Sequence, residues 1–398
     1  MLLALAILLA FGLLYWIVQS VLLVRTLLVL PVLQPDGSTG AESPLVSVII
    51  PARDEQAVVE SAVRSRLRDP DPCLEFMLID DRSNDATGLI MDHLAETDPR
   101  ARVDHVQQLP DGWLGKVNAM RVGAQHATGD WLLLSDADVH VVPGAVRGAV
   151  RLAESHGADH LACIPSIRSR SVGMNFCLAP LQRALILLTR LWSVQDPNSS
   201  AAMGVGAFNL VRRTVFEEAG GFDSLRMEVL DDVGVGVMIK QHGGRTMTAF
   251  AADCLRIAWY DRFGDFVRGI ERGAAKLPPR CPRWMLALVV LLLTALDLAP
   301  FLALSIAWFM PGFAWIAVIS AAWVVGLSVA VAVRFGTSPL FAILVPLNTV
   351  LAGLVGMRIM LRSARDGRID WRGNEYTVEA LQAGQRISFE RNETGESP

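Results

Sequence analysis

Hydrophobic positions along the 398-residue chain fall into three regimes. From Leu2 to Leu33 they are almost continuous, with Arg25 the only charge, which is long enough to cross a bilayer at roughly 20 residues per span. From Pro44 they break into short runs that alternate with amphipathic stretches. Leu45–Ile50, Phe76–Ile79, Val103–Gln107 and Trp131–Leu134 read as strands, and Glu55–Leu67, Ala86–Glu96, Lys116–Ala127 and Gly144–His156 as helices. This order predicts an α/β fold: a mostly parallel sheet joined by right-handed crossovers. Beyond the α/β region lie three more lipid-length stretches, Trp284–Met310, Phe313–Val333 and Pro339–Met357.

The pattern divides the chain into an N-terminal transmembrane anchor (1–33), an α/β domain (44–276), a C-terminal transmembrane region (284–357) and a polar tail (358–398). The anchor has neither a basic leader nor a small-residue cleavage site, so it reads as retained. Turn residues in Gln34–Ser43 make the linker, and Glu390–Pro398 has a disordered composition. Met174–Val194 is apolar around much of its circumference, yet Gln182, Arg183 and Arg190 interrupt it; a helix lying in the membrane interface is expected. One anchor and three later spans would put the tail across the membrane from the α/β domain. Arg358, Arg362, Arg365, Arg368 and Arg372 pull the tail to the cytosolic side instead. One apolar segment is therefore expected not to cross, and Trp284–Met310 is the candidate because it carries Asp297 and Pro300.

A mean hydropathy of +0.38 with 52% hydrophobic residues is too apolar for a purely soluble protein. Net charge of -4 without a basic block excludes an electrostatic footprint for nucleic acid. Cys73, Cys163, Cys177, Cys254 and Cys281 are scattered, without zinc or redox spacing, and read as reduced residues on the cytosolic side.

Candidate chemistry sits where the strands end. The Trp131 run leads into Ser135-Asp136-Ala137-Asp138; paired carboxylates at the C-terminal mouth of an open α/β sheet suit Mg2+ or Mn2+ bridging phosphate oxygens. A solvated turn after a core strand is the competing reading. Pro51, Arg53 and Glu55 follow the first strand at a nucleotide-side position, where a dipole-complementing helix start would also explain the acids. Asp80 and Asp81 end the next strand and can accept hydrogen bonds from a base N–H and ribose hydroxyls, whereas Ser83 or Asp85 fits a helix cap. Gly115 and Lys116 open a helix and offer backbone N–H groups and an ammonium to a diphosphate. Asp231 and Asp232 supply a second acid pair, one of which can deprotonate an acceptor hydroxyl. His140, Arg212, Arg213 and the glycines Gly204 and Gly206 read as surface or backbone features.

Taken in order, Ile-Ile-Pro51-Ala-Arg53-Asp-Glu55, Asp80-Asp81-Arg-Ser83-Asn-Asp85, Gly112-Trp-Leu-Gly115-Lys116, Ser135-Asp-Ala-Asp138, Gly220-Gly-Phe-Asp223 and Leu230-Asp-Asp232 resemble glycosyltransferase family 2, over about Pro44–Lys276. The resemblance implies a GT-A fold and an inverting transferase that uses a divalent metal and a nucleotide-diphosphate sugar, expected to be a UDP-sugar. Carried over by position, Asp80 and Asp81 are nucleoside-binding acids, Asp136 and Asp138 the metal-binding pair, and Asp232 the base. The anchor, the Gly112–Lys116 stretch, Gln195-Asp-Pro197 and the late spans are similar to hopanoid-associated bacterial glycosyltransferases. Trp371-Arg-Gly-Asn-Glu-Tyr376 resembles the end of ceramide glucosyltransferases.

Where processive members carry Gln/Arg-x-x-Arg-Trp, this chain has Gly269-Ile-Glu-Arg272-Gly273, so Arg272 alone survives among the catalytic positions of that motif. The resemblance thus favours single transfer to a lipid acceptor by an integral inner-membrane protein whose catalytic domain faces the cytoplasm. A processive polysaccharide synthase and exporter, and a non-catalytic membrane scaffold that keeps the fold, are the competing readings.

Overall fold

The computed structural model describes residues 2–38, 43–260, 262–275, 283–307, 314–362, 368–371, 374–377, 381 and 383–387. In chain order these form α1 (Leu2–Val29), β1 (Val46–Ala52), α2 (Val59–Leu67), β2 (Leu74–Asp81), α3 (Thr87–Thr97), β3 (Ala101–Val106), α4 (Gly115–His126), β4 (Trp131–Leu134), β5 (Val139–Val141), α5 (Ala145–Ser155), β6 (His160–Ile164), β7 (Ser166–Arg168) and α6 (Val172–Thr189). They continue as β8 (Asn209–Arg212), α7 (Arg213–Glu218), α8 (Asp231–Gln241), β9 (Thr246–Phe250), β10 (Leu255–Ala258), α9 (Phe263–Ala275), α10 (Arg283–Ala307), α11 (Ala314–Arg334), α12 (Pro339–Ile343), α13 (Val345–Arg362), β11 (Arg368–Trp371) and β12 (Asn374–Thr377). Cys281, Arg372, Gly373 and Glu390–Pro398 lie outside the described residues.

The chain divides into two compact units. One comprises Leu30–Ser166, Ser193–Ala258 and Asp370–Pro398 and is built on a seven-stranded sheet ordered β3-β2-β1-β4-β8-β6-β9. β1 runs parallel to β2 and β4, β2 to β3, and β6 to β9, while β8 lies antiparallel between β4 and β6. The expected mostly parallel α/β sheet is thus present, with one reversed strand. Every residue of β1 and β4 is buried, and Val48, Ile50, Trp131 and Leu133 pack into the main core, as near-continuous apolar strands covered on both faces require. The expected helix at Glu55 starts later, at Val59, because Glu55–Val58 form a turn that bonds back to the Glu55 carbonyl.

The other unit comprises Met1–Val29, Ile167–Trp192 and Trp259–Ile369. It is helical over most of its described length. Among the described residues four segments, Leu9–Val29, Val172–Ser193, Trp284–Ser305 and Ala314–Arg334, are long and apolar enough to cross a membrane. The stretch expected at Pro339–Met357 is divided at Leu344 into α12 and α13. Asp297, in the middle of α10, is not isolated: Arg183 of α6 donates to its Oδ2 at 2.5 Å and Tyr15 of α1 to its Oδ1 at 2.9 Å. Arg183 also lies 5.3 Å from the Trp16 ring centroid. A charge met by a guanidinium and a phenol in one cluster removes the electrostatic argument against insertion of α10.

Candidate functional site

The site gathers at the C-terminal ends of β1, β2 and β4, where parallel strands deliver their following loops to one edge. Ala52 of β1 pairs with Asp80 of β2, and Ile49 with Leu134, so Arg53, Asp80–Asp81 and Ser135–Asp138 leave neighbouring strands on the same side. Pro51 lies one residue before the end of β1 and is buried, which makes it part of the strand rather than of an open surface.

Lys116, on the first turn of α4, joins acids that the sequence separates widely. Its Nζ lies 2.9 Å from Asp136 Oδ1 and 3.0 Å from Asp231 Oδ2. Burial works against the ammonium, but the fields of Asp136, Asp231 and Asp232 outweigh it and hold Lys116 well above its ordinary pKa. The lysine is therefore charged, with its donors turned onto carboxylates.

Asp232 is held by backbone. Gly206 N–H donates to its Oδ2 at 2.9 Å and its own neighbour Val233 N–H to Oδ1 at 2.9 Å. The Gly206 carbonyl in turn accepts from Asp136 N–H at 2.9 Å, so one glycine ties both acid segments together. A Cβ on Gly206 would lie 2.6 Å from Asp136 Oδ2, and one on Gly204 would lie 1.6 Å from the Asp232 carbonyl oxygen. These positions must be glycine for the acids to converge. Burial, then the charge of Asp231, pushes the Asp232 carboxyl up to about 6, with Lys116 pulling the other way. Burial likewise raises Asp231 against the pull of Lys116.

Asp138 is also pushed up to about 6, by burial and then by the charges of Asp136 and Glu55. Beneath this pair sits Arg66, only 3% exposed, whose Nη2 donates to the Asp136 carbonyl at 2.6 Å and to Ser135 Oγ at 2.9 Å. Burial lowers its pKa to about 10 while Asp138 and Asp136 resist the shift. Arg66 was not among the residues expected from sequence. Its signal was available, because it continues the buried stripe Val59, Ala62, Val63 of α2 at helical spacing.

Asp81 is 3% exposed and is gripped by its neighbour Arg82, with Nε 2.9 Å from Oδ1 and Nη2 3.2 Å from Oδ2. It also borders the start of α4, since a Cβ on Gly115 would lie 2.5 Å from its Oδ2. Arg53 reaches no closer than 3.9 Å to Asp54, and Glu55 N–H donates to Thr87 Oγ1 at 2.8 Å. Arg272 is part of α9 in the helical unit, and its side chain lies outside the described residues.

The donor chemistry fits a hard cation in part. Among the described residues no three His, Cys, Asp or Glu side chains stand at metal-ligand spacing. Asp136 and Asp138 alone would supply carboxylate oxygens, leaving further positions to phosphate oxygens and water, as Mg2+ and Mn2+ sites commonly do. The mutual repulsion of Glu55, Asp136 and Asp138 is the kind of charge imbalance that a divalent ion relieves.

A mostly parallel sheet with this acid-and-lysine cluster at its strand ends is the α/β arrangement of a GT-A-like fold. Residues 47–220 match the family described as Glycosyl transferase family 2. Similar curated proteins include the uncharacterized glycosyltransferase YaiP of Escherichia coli (strain K12), 29% identical over 189 residues, covering 47% of this chain and 46% of that one. The probable glycosyltransferase YdaM of Bacillus subtilis (strain 168) is 31% identical over 103 residues, 24% of this chain and 23% of that one. The matched stretch thus spans less than half of either relative. Among solved structures, the mannosyltransferase PcManGT from Pyrobaculum calidifontis, in complex with GDP-Man and Mn2+, aligns with a TM-score of 0.49 at 20% identity over 89% of this chain and 99% of that one.

Proposed function

We propose that this protein is a membrane-bound inverting glycosyltransferase that moves one sugar from a nucleotide-diphosphate donor to a lipid hydroxyl. The observation that carries the reading is the Lys116 bridge between Asp136 and Asp231, with Asp232 fastened to the same strand end through Gly206. In this reading Asp80 and Asp81 hold the nucleoside. Lys116 exchanges one carboxylate for a diphosphate oxygen when the donor enters. Asp232, its carboxylate oriented by two backbone N–H groups, takes the proton from the acceptor hydroxyl as that oxygen attacks the anomeric carbon. A divalent cation held by Asp136 and Asp138 would neutralise charge on the leaving diphosphate.

The membrane and the lipid acceptor rest on the apolar helices. α6 qualifies as a span by length, yet β6 before it pairs with β8 and β9 after it. A single crossing by α6 would put one sheet on both sides of a bilayer, so both ends of α6 lie on the same side, as for an in-plane or re-entrant helix. The tail is tied to the sheet unit in the same way: Leu381 and Ile387 are buried, and Gln385 Nε2 lies 3.5 Å from Glu228 Oε1. Tail and sheet then share one side, which requires an even number of crossings between Ala258 and Leu381 and agrees with the arginines after α13. Cysteines placed at Ser83 and Gly384 are expected to react with a membrane-impermeant maleimide only after cells are opened; labelling of Gly384→Cys alone in intact cells would break this topology.

The function itself is tested by mass spectrometry of lipids from cells with and without the protein. A lipid heavier by one hexose or hexosamine in the expressing cells is expected. Long glycan products, or no donor consumption by purified membranes, would refute single transfer.

A further inference from the structure

The pair Asp80 and His105 extends the nucleoside end of the site into a charged relay. His105, on β3, uses both ring nitrogens: Nδ1 is 3.0 Å from Asp80 Oδ2, and Nε2 is 3.0 Å from Asp92 Oδ1 of α3. Carboxylates only accept, so both contacts are hydrogen bonds at once only when the ring carries both protons. Asp80 is 8% exposed, and its other oxygen accepts from Ser83 N–H at 3.1 Å. Its carboxylate is thereby fixed at each end, by a turn on one side and an imidazolium on the other. The start of α3 closes over this contact, since a Cβ on Gly88 would lie 2.8 Å from Asp80 Oδ2 and 3.2 Å from His105 Cε1.

We propose that His105 is a positioning residue whose positive charge fixes Asp80 for nucleoside recognition, so that affinity for the nucleotide falls when the ring loses its proton. The inference rests on the reading that Asp80 contacts the nucleoside. The groups around the ring bear it out in sign. β2 contributes Asp80 and α3 contributes Asp92, both acids. Asp104, beside His105 on β3, is taken by His126 of α4 at 2.9 Å, and Asp81 by Arg82. No cation is hydrogen-bonded to the ring among the described residues. Burial partly offsets the two acids, and their hydrogen bonds leave His105 above the ordinary histidine pKa. The charged ring therefore persists to higher pH than that of an ordinary histidine and is lost as pH rises past that raised value. What then disappears is the Nδ1 or the Nε2 bond, because a neutral imidazole has one donor.

UDP and GDP are the probes, with binding measured by calorimetry on the full-length protein in detergent, in the presence of Mn2+, from pH 6 to pH 9. Histidine NMR on the same samples gives the midpoint of the His105 ring. In the wild type the dissociation constant is expected to rise about tenfold through that midpoint, the scale of one charge-assisted hydrogen bond. His105→Gln, which shares the nucleotide's own phosphate titration, should bind weakly throughout and lack the step. Asp92→Asn should keep the step and move it to lower pH, which a purely structural histidine would not do. A wild-type curve that His105→Gln reproduces overturns the inference. Asp80→Asn separates the two levels: if it binds both nucleotides like the wild type, the nucleoside reading itself falls, whereas loss in Asp80→Asn with none in His105→Gln removes His105 alone.

Discussion

Asp232→Asn is expected to lower kcat by about a thousandfold while leaving the KM for the donor within about threefold, the pattern of a lost general base. The two acids of α8 invite confusion, and their partners separate them. Asp231 spends an oxygen on the Lys116 ammonium at 3.0 Å, which pulls against the upward shift from burial and makes it an anchor for the lysine. Among the described residues, Asp232 receives backbone N–H groups on its carboxylate and is pushed up to about 6, so it is ionised at neutral pH yet more basic than an ordinary aspartate. Asp231→Asn should therefore act mainly through Lys116, raising the KM for the donor more than it lowers kcat. Single-turnover measurement with saturating donor distinguishes the two. Equal losses of kcat in both variants would mean that neither acid acts alone, and undiminished kcat in Asp232→Asn would move the base elsewhere.

How far the chain was readable from its residues follows from how each feature is built. Strands buried on both faces must be apolar throughout, so β1, β2 and β4 stand out as runs, and the acids that stop them mark the sheet edge. β8 has four residues and reverses direction between two other strands, and its sequence, Asn-Leu-Val-Arg, carries no periodic signal that long. Pairings across long separations are invisible in the same way. Asp297 looks like an isolated charge in an apolar helix until Arg183 is found beside it, 114 residues earlier.

Gly204 and Gly206 are the more instructive case. In the sequence they lack the strand-to-helix context of a phosphate loop. Glycine has a second use, the close approach of two backbones, and here it lets the Asp232 carbonyl and the Asp136 carboxylate come within reach of one loop. His105 is not legible in the sequence because a lone histidine in a strand is ordinary, whereas Arg66 is marked only by its place on the buried stripe of α2. Only the packing shows that His105 ends on the Asp80 carboxylate and Arg66 on the backbone carbonyl of Asp136.

Asp138→Ala is expected to reduce sugar transfer by a thousandfold or more, at the upper end of what the loss of a cation-based electrostatic contribution produces. An inactive variant that is merely misfolded must be separated from one that has lost its metal carboxylate, and the charges around the residue provide the means. Asp138 faces Asp136 and Glu55, against which a backbone hydrogen bond and the charge of Arg66 compensate in part. Deleting it relieves like-charge repulsion, so without added metal the variant should melt no lower than the wild type. Mn2+ should then raise the melting temperature of the wild type, because an ion that binds only the folded state stabilises it in proportion to its occupancy. In Asp138→Ala that rise should vanish, and Lys116 should keep its contacts with Asp136 and Asp231 because neither involves the deleted side chain. A variant that transfers sugar at the wild-type rate would remove the metal assignment. One that melts well below the wild type without metal would show instead that Asp138 supports the fold, and that the repulsion inferred from its neighbours is not what governs this end of the sheet.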